Sequence, residues 1–396
     1  MLALSIHWVG INMTTKTKTA WRTMKLGDIA DFRYGKMPQK TLTLGKYPIY
    51  SGYRITGFTN DEYNSDEDLI IVARGVGGTG DIKISPPKSF VTNLSIIADL
   101  DTKQLDKKYA LYFFSKGLRH LDSGSAQSQI TIQDLNAISL RLPSIDIQKR
   151  IAEILSAFDE KIKNNNCIIK TLEEMAQAIF KEWFVKFRFP GHEKVEIVDS
   201  PLGKIPKGWK IKALDEVADF LNGIALQNFR PKDTESSLPV IKIREMNNGI
   251  DSNTERASRD IDEKYKVNAG DILFSWSGSL ELMRWSATTG ALNQHLFKVT
   301  SQNYPTWFVF YWVKHHLPYF KLIASSKATS MGHIQRHHLS EATVVVPSPD
   351  ILDQADKLIF PMFEQALKLR IENQELAAMR DLLLPRLMSG EIEINI

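Results

Sequence analysis

From Ser144 to Phe184 the apolar residues recur at alternating spacings of four and three. They are Ile151, Leu155, Phe158, Ile162, then the polar Asn165, then Ile169, Leu172, Ala176, Ile179 and Trp183. This is a heptad seam held for more than four repeats, and it predicts a long helix with one narrow apolar stripe. Pro143-Ser144-Ile145-Asp146 opens the stretch. Ser144 can accept a hydrogen bond from a free backbone N–H, and Asp146 suits the positive end of the helix dipole. No Pro or Gly follows until Pro190. Roughly forty helical residues would span about 60 Å, far beyond an ordinary globular helix. A stripe this narrow needs a partner helix.

The partner lies in the same chain. Pro347-Ser348-Pro349-Asp350 repeats the opening motif 204 residues later, and a second seam follows: Ala355, Ile359, Met362, Ala366, Leu369, Asn373, Leu376, Arg380, Leu383 and Leu387. This seam is less regular. Arg380 occupies a seam position, and Pro361 is expected to remove a backbone bond and kink the first turns. Each seam has one Asn near its middle. Antiparallel pairing would bring Asn165 and Asn373 together, where each amide gives the other a partner and the pair fixes the register.

The duplication extends beyond the helices. Trp21, Leu26, Ile29-Ala30-Asp31-Phe32 and Gly35 match Trp209, Leu214, Val217-Ala218-Asp219-Phe220 and Gly223 at an offset of 188, and the match reads as a short helix ending at a glycine. Asp68-Leu69-Ile70-Ile71-Val72, leading to Ala73-Arg74-Gly75, resembles Asp271-Ile272-Leu273-Phe274-Ser275 before Trp276-Ser277-Gly278. Both read as buried strands entering Gly-rich turns. The aromatic runs 109–114 and 307–312 match at an offset of 198, and their helical context favours core packing over base stacking. Between the first short helix and the Gly-rich turn the second copy is longer, with the extra residues expected within Leu226 to Asp260. A common scaffold with different loops predicts two related binding domains with different targets.

The expected fold class is α+β: two mixed α/β domains separated by two long antiparallel coiled-coil helices, an internal repeat with a pseudo-two-fold relation. The expected limits are a disordered extension over 1–19, domain 1 over 20–143, helix 1 over 144–189, domain 2 over 190–346 and helix 2 over 347–396. Met13 is an alternative start. Met1 to Asn12 carries no Lys or Arg and leads to no small-residue cleavage site, which argues against a signal peptide.

Composition narrows the class little further. The 396 residues are 43% apolar and 24% charged, as in a soluble globular protein, which makes the cytoplasm the default compartment. A net charge of +4 permits nucleic acid as a partner without requiring it. One cysteine, Cys167, excludes an internal disulfide and a four-cysteine zinc site. No apolar run approaches a membrane span.

Catalytic patterns fail one by one. Gly75-Val76-Gly77-Gly78-Thr79-Gly80 matches G-x-G-x-x-G, but Asp81-Ile82-Lys83-Ile84-Ser85 then alternates like a strand where a dinucleotide fold needs a helix. No Lys and Ser/Thr follow Gly80, as a phosphate loop requires. Ser85-Pro86-Pro87-Lys88 is not the Asp/Asn-Pro-Pro-aromatic motif of amino-methyltransferases. His333, His337 and His338 lack the Glu of H-E-x-x-H and any cysteine, so no metal is expected. There is no nucleophile elbow.

Other segments resemble a known family. Ile145, Gln148, Ile151-Ala152 and Ile154-Leu155 look like the start of its first conserved helix, and Phe180-Lys181, Trp183-Phe184-Val185, Phe187 and Phe189-Pro190 like its end. Ser200, Leu202-Gly203, Ile205-Pro206 and Gly208-Trp209 look like the entry to its second recognition domain, and Leu383-Leu384-Pro385 with Leu387-Met388-Ser389-Gly390-Glu391-Ile392 like its C-terminal ending. Over residues 20–396 the chain is similar to the DNA-specificity (S) subunit of Type I restriction-modification systems. The resemblance implies two target-recognition domains, each reading half of a split sequence in double-stranded DNA, and a helical spacer that sets the gap. It implies docking of two modification (methyltransferase) subunits and of restriction (translocase/endonuclease) subunits. S-adenosylmethionine, ATP and magnesium would bind those partners, and this chain would not be an enzyme. The rival is a self-contained DNA methyltransferase or nuclease with unrecognised motifs.

Reading a duplex needs donors and acceptors at groove depth and cations along phosphates. Three segments per domain carry such groups. The first holds Arg33, Tyr34, Lys36 and Gln39 in one copy, and Asn222, Gln227, Asn228 and Arg230 in the other. The second brings Arg74, or Trp276 with Ser277, followed by Asn93 and Asn293. The third lies before the last strand: Gln127, Ser128 and Gln129, or Lys327, Thr329 and His333.

Overall fold

A computed structural model describes residues 21–52, 54–75, 78–121, 129–232, 237–326 and 332–394. The expected extension over 1–19, and Gln127, Ser128, Lys327 and Thr329, lie outside the described residues. The chain divides into two compact units, Met1–Glu160 with Ala377–Ile396, and Lys161–Leu376. Each unit takes one end of both long helices.

The first unit opens with β1 (Arg22–Lys25), a single helical turn over Leu26–Asp28, and β2 (Ala30–Tyr34). It continues through β3 (Tyr47–Ser51), β4 (Arg54–Thr59), β5 (Leu69–Val72), β6 (Ile82–Ile84), β7 (Phe90–Val91) and β8 (Ser95–Leu100). Helices α1 (Lys107–Phe113) and α2 (Ile132–Ala137) and strand β9 (Ser139–Leu142) lead into α3 (Ile145–Phe180). An antiparallel sheet runs β2-β8-β5-β6, β1 pairs with β9, and β3 pairs with β4 and, in parallel, with β7. Strand β5 is buried along its whole length, as expected of a central strand read as Leu-Ile-Ile-Val.

The second unit repeats this plan. A hairpin of β10 (Ile197–Ser200) and β11 (Gly203–Pro206) precedes β12 (Lys210–Ala213), α4 (Leu214–Val217) and β13 (Asp219–Asn222). Then come β14 (Ser237–Ile241), α5 (Ile243–Asn248), β15 (Arg256–Ser258), β16 (Lys266–Val267), β17 (Ile272–Ser275), β18 (Leu282–Arg284), β19 (Gly290–Leu292) and β20 (Leu296–Thr300). Helices α6 (Thr306–Ser326) and α7 (Arg336–Glu341) and strand β21 (Thr343–Val346) lead to α8 (Pro349–Ser389). The sheet β13-β20-β17-β18 has the order of β2-β8-β5-β6, and β12 pairs with β21 as β1 pairs with β9. The extra residues of the second copy fall largely in the 242–255 connection, which carries α5.

One expectation is corrected. The segments ending at Gly35 and Gly223 are not short helices. Only one helical turn forms in each, and Ala30–Tyr34 and Asp219–Asn222 are strands paired with β8 and β20. The period-two burial of a sheet face outweighed the helical reading of a short motif. Nor do the glycines cap a helix. A Cβ on Gly35 would lie 2.3 Å from the Thr92 carbonyl oxygen, and one on Gly223 would lie 2.2 Å from that of Asn293, so each serves a close backbone approach.

Both aromatic helices are core. Tyr109 and Ala110 of α1 are fully buried, and so are Trp307, Phe308 and Val309 of α6. The Trp307 indole N–H, which could not be buried unpaired at low cost, donates to Asp356 Oδ1 at 2.6 Å. Among the described residues no helix is long and apolar enough to cross a membrane.

The long helices pair antiparallel. In the second unit Asn165 meets Asn373, Ile169 clusters with Ala366 and Leu369, and Glu173 meets Arg370. Seam residues Ile151, Leu155, Asn165, Ile169, Ala176 and Trp183 are buried on α3, and Ala355, Ile359, Ala366, Leu369 and Leu387 on α8. Helix α8 is continuous through Pro361, and α3 ends in a wider π-type turn over Lys181–Val185.

Arg380 has a local reason to interrupt its seam. In the first unit its Nη1 donates to Asp159 Oδ1 at 2.5 Å, and the Tyr112 hydroxyl donates to the other oxygen of the same carboxylate. By the repeat offsets, the second unit has Phe310, Phe363 and Ala176 at these positions, and Phe310 packs on Phe363 with ring centroids 5.3 Å apart. One end of the pair is thus closed by charge and the other by aromatic packing. Asp159→Ala and Arg380→Ala should each lower unfolding stability by about 1–3 kcal/mol. The double variant should lose less than the sum, because each single change strands a half-buried charge. Urea unfolding of the three variants checks this, and strict additivity would mean the pair is uncoupled.

Candidate nucleic-acid interface

In the first unit three chain segments converge at one end of the sheet. Strand β2 ends where β8 begins, with Tyr34 opposite Ile96, and β5 ends there too, with Val72 opposite Ser95. Beyond β5, the N–H groups of Ala73 and Arg74 both donate to the Leu94 carbonyl, at 2.9 and 3.1 Å. Arg74 forms an isolated antiparallel bridge with Gln129, and the Gly35 N–H donates to the Ser95 carbonyl at 3.0 Å. Tyr34, Arg74, Leu94 and Gln129 are therefore neighbours although 95 residues separate the first from the last.

Three polar atoms here are buried without a hydrogen-bond partner among the described residues: Arg74 Nε, Asn93 Oδ1 and Ser95 Oγ. The Arg74 guanidinium lies 6.0 Å from the Tyr34 ring centroid, within range of a cation–π attraction. Arg33, by contrast, is turned to the β4–β5 connection, where Nη2 donates to the Asn64 carbonyl at 2.8 Å. Lys36 and Gln39 are exposed beyond β2, and the Gln39 N–H donates to Asp61 Oδ2 at 2.7 Å.

The second unit builds the same junction with other side chains. Asn222 stands at the end of β13 as Tyr34 does at the end of β2, Trp276 follows β17 as Ala73 follows β5, and Ser277 takes the place of Arg74. The Trp276 indole N–H is shared between Asn222 Oδ1 at 2.9 Å and the Gln294 carbonyl at 3.1 Å. Its ring lies 5.7 Å from His295 and 6.4 Å from His333. Ser277 bridges to His333 along the backbone, as Arg74 does to Gln129, and its hydroxyl is 3.0 Å from His295 Nδ1. Ser277 and Asn293 are buried, and Asn293 Oδ1 accepts the His295 N–H at 3.1 Å. Both therefore support the junction from inside. Gln227, Asn228 and Arg230 are exposed, around the single turn Leu226–Asn228 after β13.

Gln294 and His295 were missed by sequence reasoning. Their side-chain nitrogens lie 3.4 Å apart at the start of β20, beside Trp276. The signal was the polar run Asn293-Gln294-His295 immediately before the apolar-rich Leu296-Phe297-Lys298-Val299, at the level where the first copy has Asn93 and Leu94.

On α7 the ligand atoms of His337, His338 and Glu341 lie within 4.8 Å of one another, close enough to consider a metal ion. The Nδ1 of buried His338 already accepts the Gln335 N–H at 2.9 Å. A metal on its Nε2 would then require an imidazolate, so the residue is better explained as a cap on its own helix.

One scaffold, made twice, gathers a different polar set at each sheet end. That arrangement defines a two-headed binding protein. Residues 18–174 and 206–379 match the family model described as "Type I restriction modification DNA specificity domain". The chain belongs to this family: it is a non-catalytic specificity subunit with two recognition domains. It is 26% identical over 304 residues to the MjaIX specificity subunit of Methanocaldococcus jannaschii, covering 73% of this chain and 69% of that one. It is 25% identical over 328 residues to the HindI specificity subunit of Haemophilus influenzae, covering 67% and 71%. The fold is similar to that of the Type I S subunit from M. genitalium, with a TM-score of 0.64 at 18% identity, covering 95% of this chain and 98% of that one.

The glycine at each junction gives a direct test of its geometry. Gly35→Ala and Gly223→Ala should each destabilise the chain by about 1–3 kcal/mol, because the new methyl group must displace backbone rather than a mobile side chain. Thermal unfolding measures the loss, and an unchanged transition would refute the close approach.

Proposed function

We propose that this chain addresses a Type I restriction-modification enzyme to a bipartite sequence in double-stranded DNA. The junction after β2 and β5 reads one half, and the junction after β13 and β17 reads the other. The observation that carries the reading is the duplicated junction: identical strand order, the same Gly-enforced approach, and different side chains at matched positions. The direct readers in this view are Tyr34, Arg74, Asn93 and Gln129 in one half, and Asn222, Trp276, Gln294, His295 and His333 in the other. Arg33, Lys36, Gln39, Gln127, Ser128, Gln227, Asn228, Arg230, Lys327 and Thr329 supply phosphate and rim contacts, while Ser277 and Asn293 hold readers in place.

In this role the antiparallel pair α3 and α8 acts as the spacer between half-sites. The chain works as one subunit of a complex, in which modification and restriction subunits bind S-adenosylmethionine, ATP and magnesium and carry out the chemistry. Family membership disfavours the rival of a self-contained methyltransferase or nuclease.

Exchanging residues 20–143 for the matching domain of a relative should change one half of the methylated sequence and leave the other half and the spacer intact. Sequencing methylated bases in cells that carry the exchanged chain and its partner subunits reads this out. Alteration of both halves would count against independent reading.

A further inference from the structure

Arg74 is a half-buried guanidinium with no acceptor among the described residues. Among the described residues its side chain makes neither an ion pair nor a hydrogen bond, and its only recorded neighbour interaction is with the Tyr34 ring, at 6.0 Å. Its Nε is buried and unpaired. Buried donors are almost always satisfied, and one left open costs free energy that a ligand acceptor would return. The backbone beneath it is fixed. Arg74 N–H donates to the Leu94 carbonyl at 3.1 Å, and the Arg74–Gln129 bridge ties the segment from the other side. The guanidinium is thus held at the sheet end with its fork uncommitted. The matched position in the second unit differs in kind: it is the buried Ser277, whose hydroxyl lies 3.0 Å from His295 Nδ1. Trp276 beside it carries one donor, already shared between Asn222 and Gln294, and it is surrounded by amide and imidazole groups rather than a cation.

We propose, resting on the bipartite reading above, that Arg74 reads a guanine in the half-site of the first domain, and that the second half-site is read at the matched junction without a guanidinium. A rigid fork of parallel N–H donors matches the O6 and N7 acceptors of guanine in the major groove, and no other base edge offers two acceptors side by side there. A phosphate offers the same acceptor chemistry, so the test must separate the two.

The experiment uses the complete complex of the chain with its partner subunits, wild type and Arg74→Gln. Binding is selected from randomised duplex DNA and then measured on the chosen duplexes across salt concentrations. The first domain's half-site is the half that responds to the exchange of residues 20–143. The wild type should demand a guanine in that half. Arg74→Gln should lower the preference for it by about 5- to 150-fold, equivalent to about 1–3 kcal/mol, with the second half unchanged. A wild-type half-site without a required guanine overturns the proposal, whatever the variant does. So does a variant that weakens all sequences equally and reduces the salt slope by about one, the signature of a phosphate contact. Absence of any split sequence in the wild type would instead sink the bipartite reading itself.

Discussion

Asn165 is fully buried between the two long helices, and its amide Nδ2 donates to Asn373 Oδ1 at 2.9 Å and to Glu372 Oε2 at 3.1 Å. The Asn373 amide in turn donates to Asn166 Oδ1 at 2.9 Å. Apolar seam residues tolerate a slide of one heptad with little loss, since one Leu or Ile resembles the next. A buried amide does not, because sliding strands it in a hydrocarbon seam at about 1–3 kcal/mol. Its own Oδ1 has no partner among the described residues, so the arrangement already gives up some stability for a defined register. Each unit closes its end of the pair by a different chemistry, the Asp159–Arg380–Tyr112 cluster in one and the Phe310–Phe363 contact in the other.

The two sheet-end junctions show how one backbone can carry two different sets of polar side chains. The strand order and the glycine approach are common to both. Tyr34 becomes Asn222, Ala73 becomes Trp276, and the Arg74–Gln129 pair becomes Ser277–His333 on a preserved backbone bridge. In the first unit an aromatic ring supports an unpaired cation. In the second an indole is locked to an amide and framed by imidazoles. Side-chain chemistry at the sheet ends therefore varies while the strands that carry it stay fixed.

Much of this was legible in the chain because burial has a period. Ile151 to Trp183 and Ala355 to Leu387 announce a helix pair by heptad spacing, and Leu69–Val72 and Ile272–Ser275 announce central strands by continuous β-branched or aromatic runs. The motif ending at Gly35 was misread because three or four residues cannot distinguish a helical turn from a strand edge. The site was legible only as segments. That Trp276 would spend its donor on Asn222, 54 residues away, has no local signature. Nor does the sequence show that Ser277 and Asn293 face inward while Gln294 and His295 lie beside the indole. Those outcomes depend on which strands pair, and at what register.

The claim that the paired helices set the distance between the two readers can be tested by inserting four residues at matched points in α3 and α8, on the same side of Asn165 and Asn373. The pair would lengthen by about 6 Å, equal to one or two base pairs of duplex at about 3.4 Å each. Methylated-base sequencing of cells carrying this chain with its partner subunits should return the same two half-sites with the spacer longer by one or two base pairs. The same half-sites with an unchanged spacer would contradict a ruler built on the helix pair.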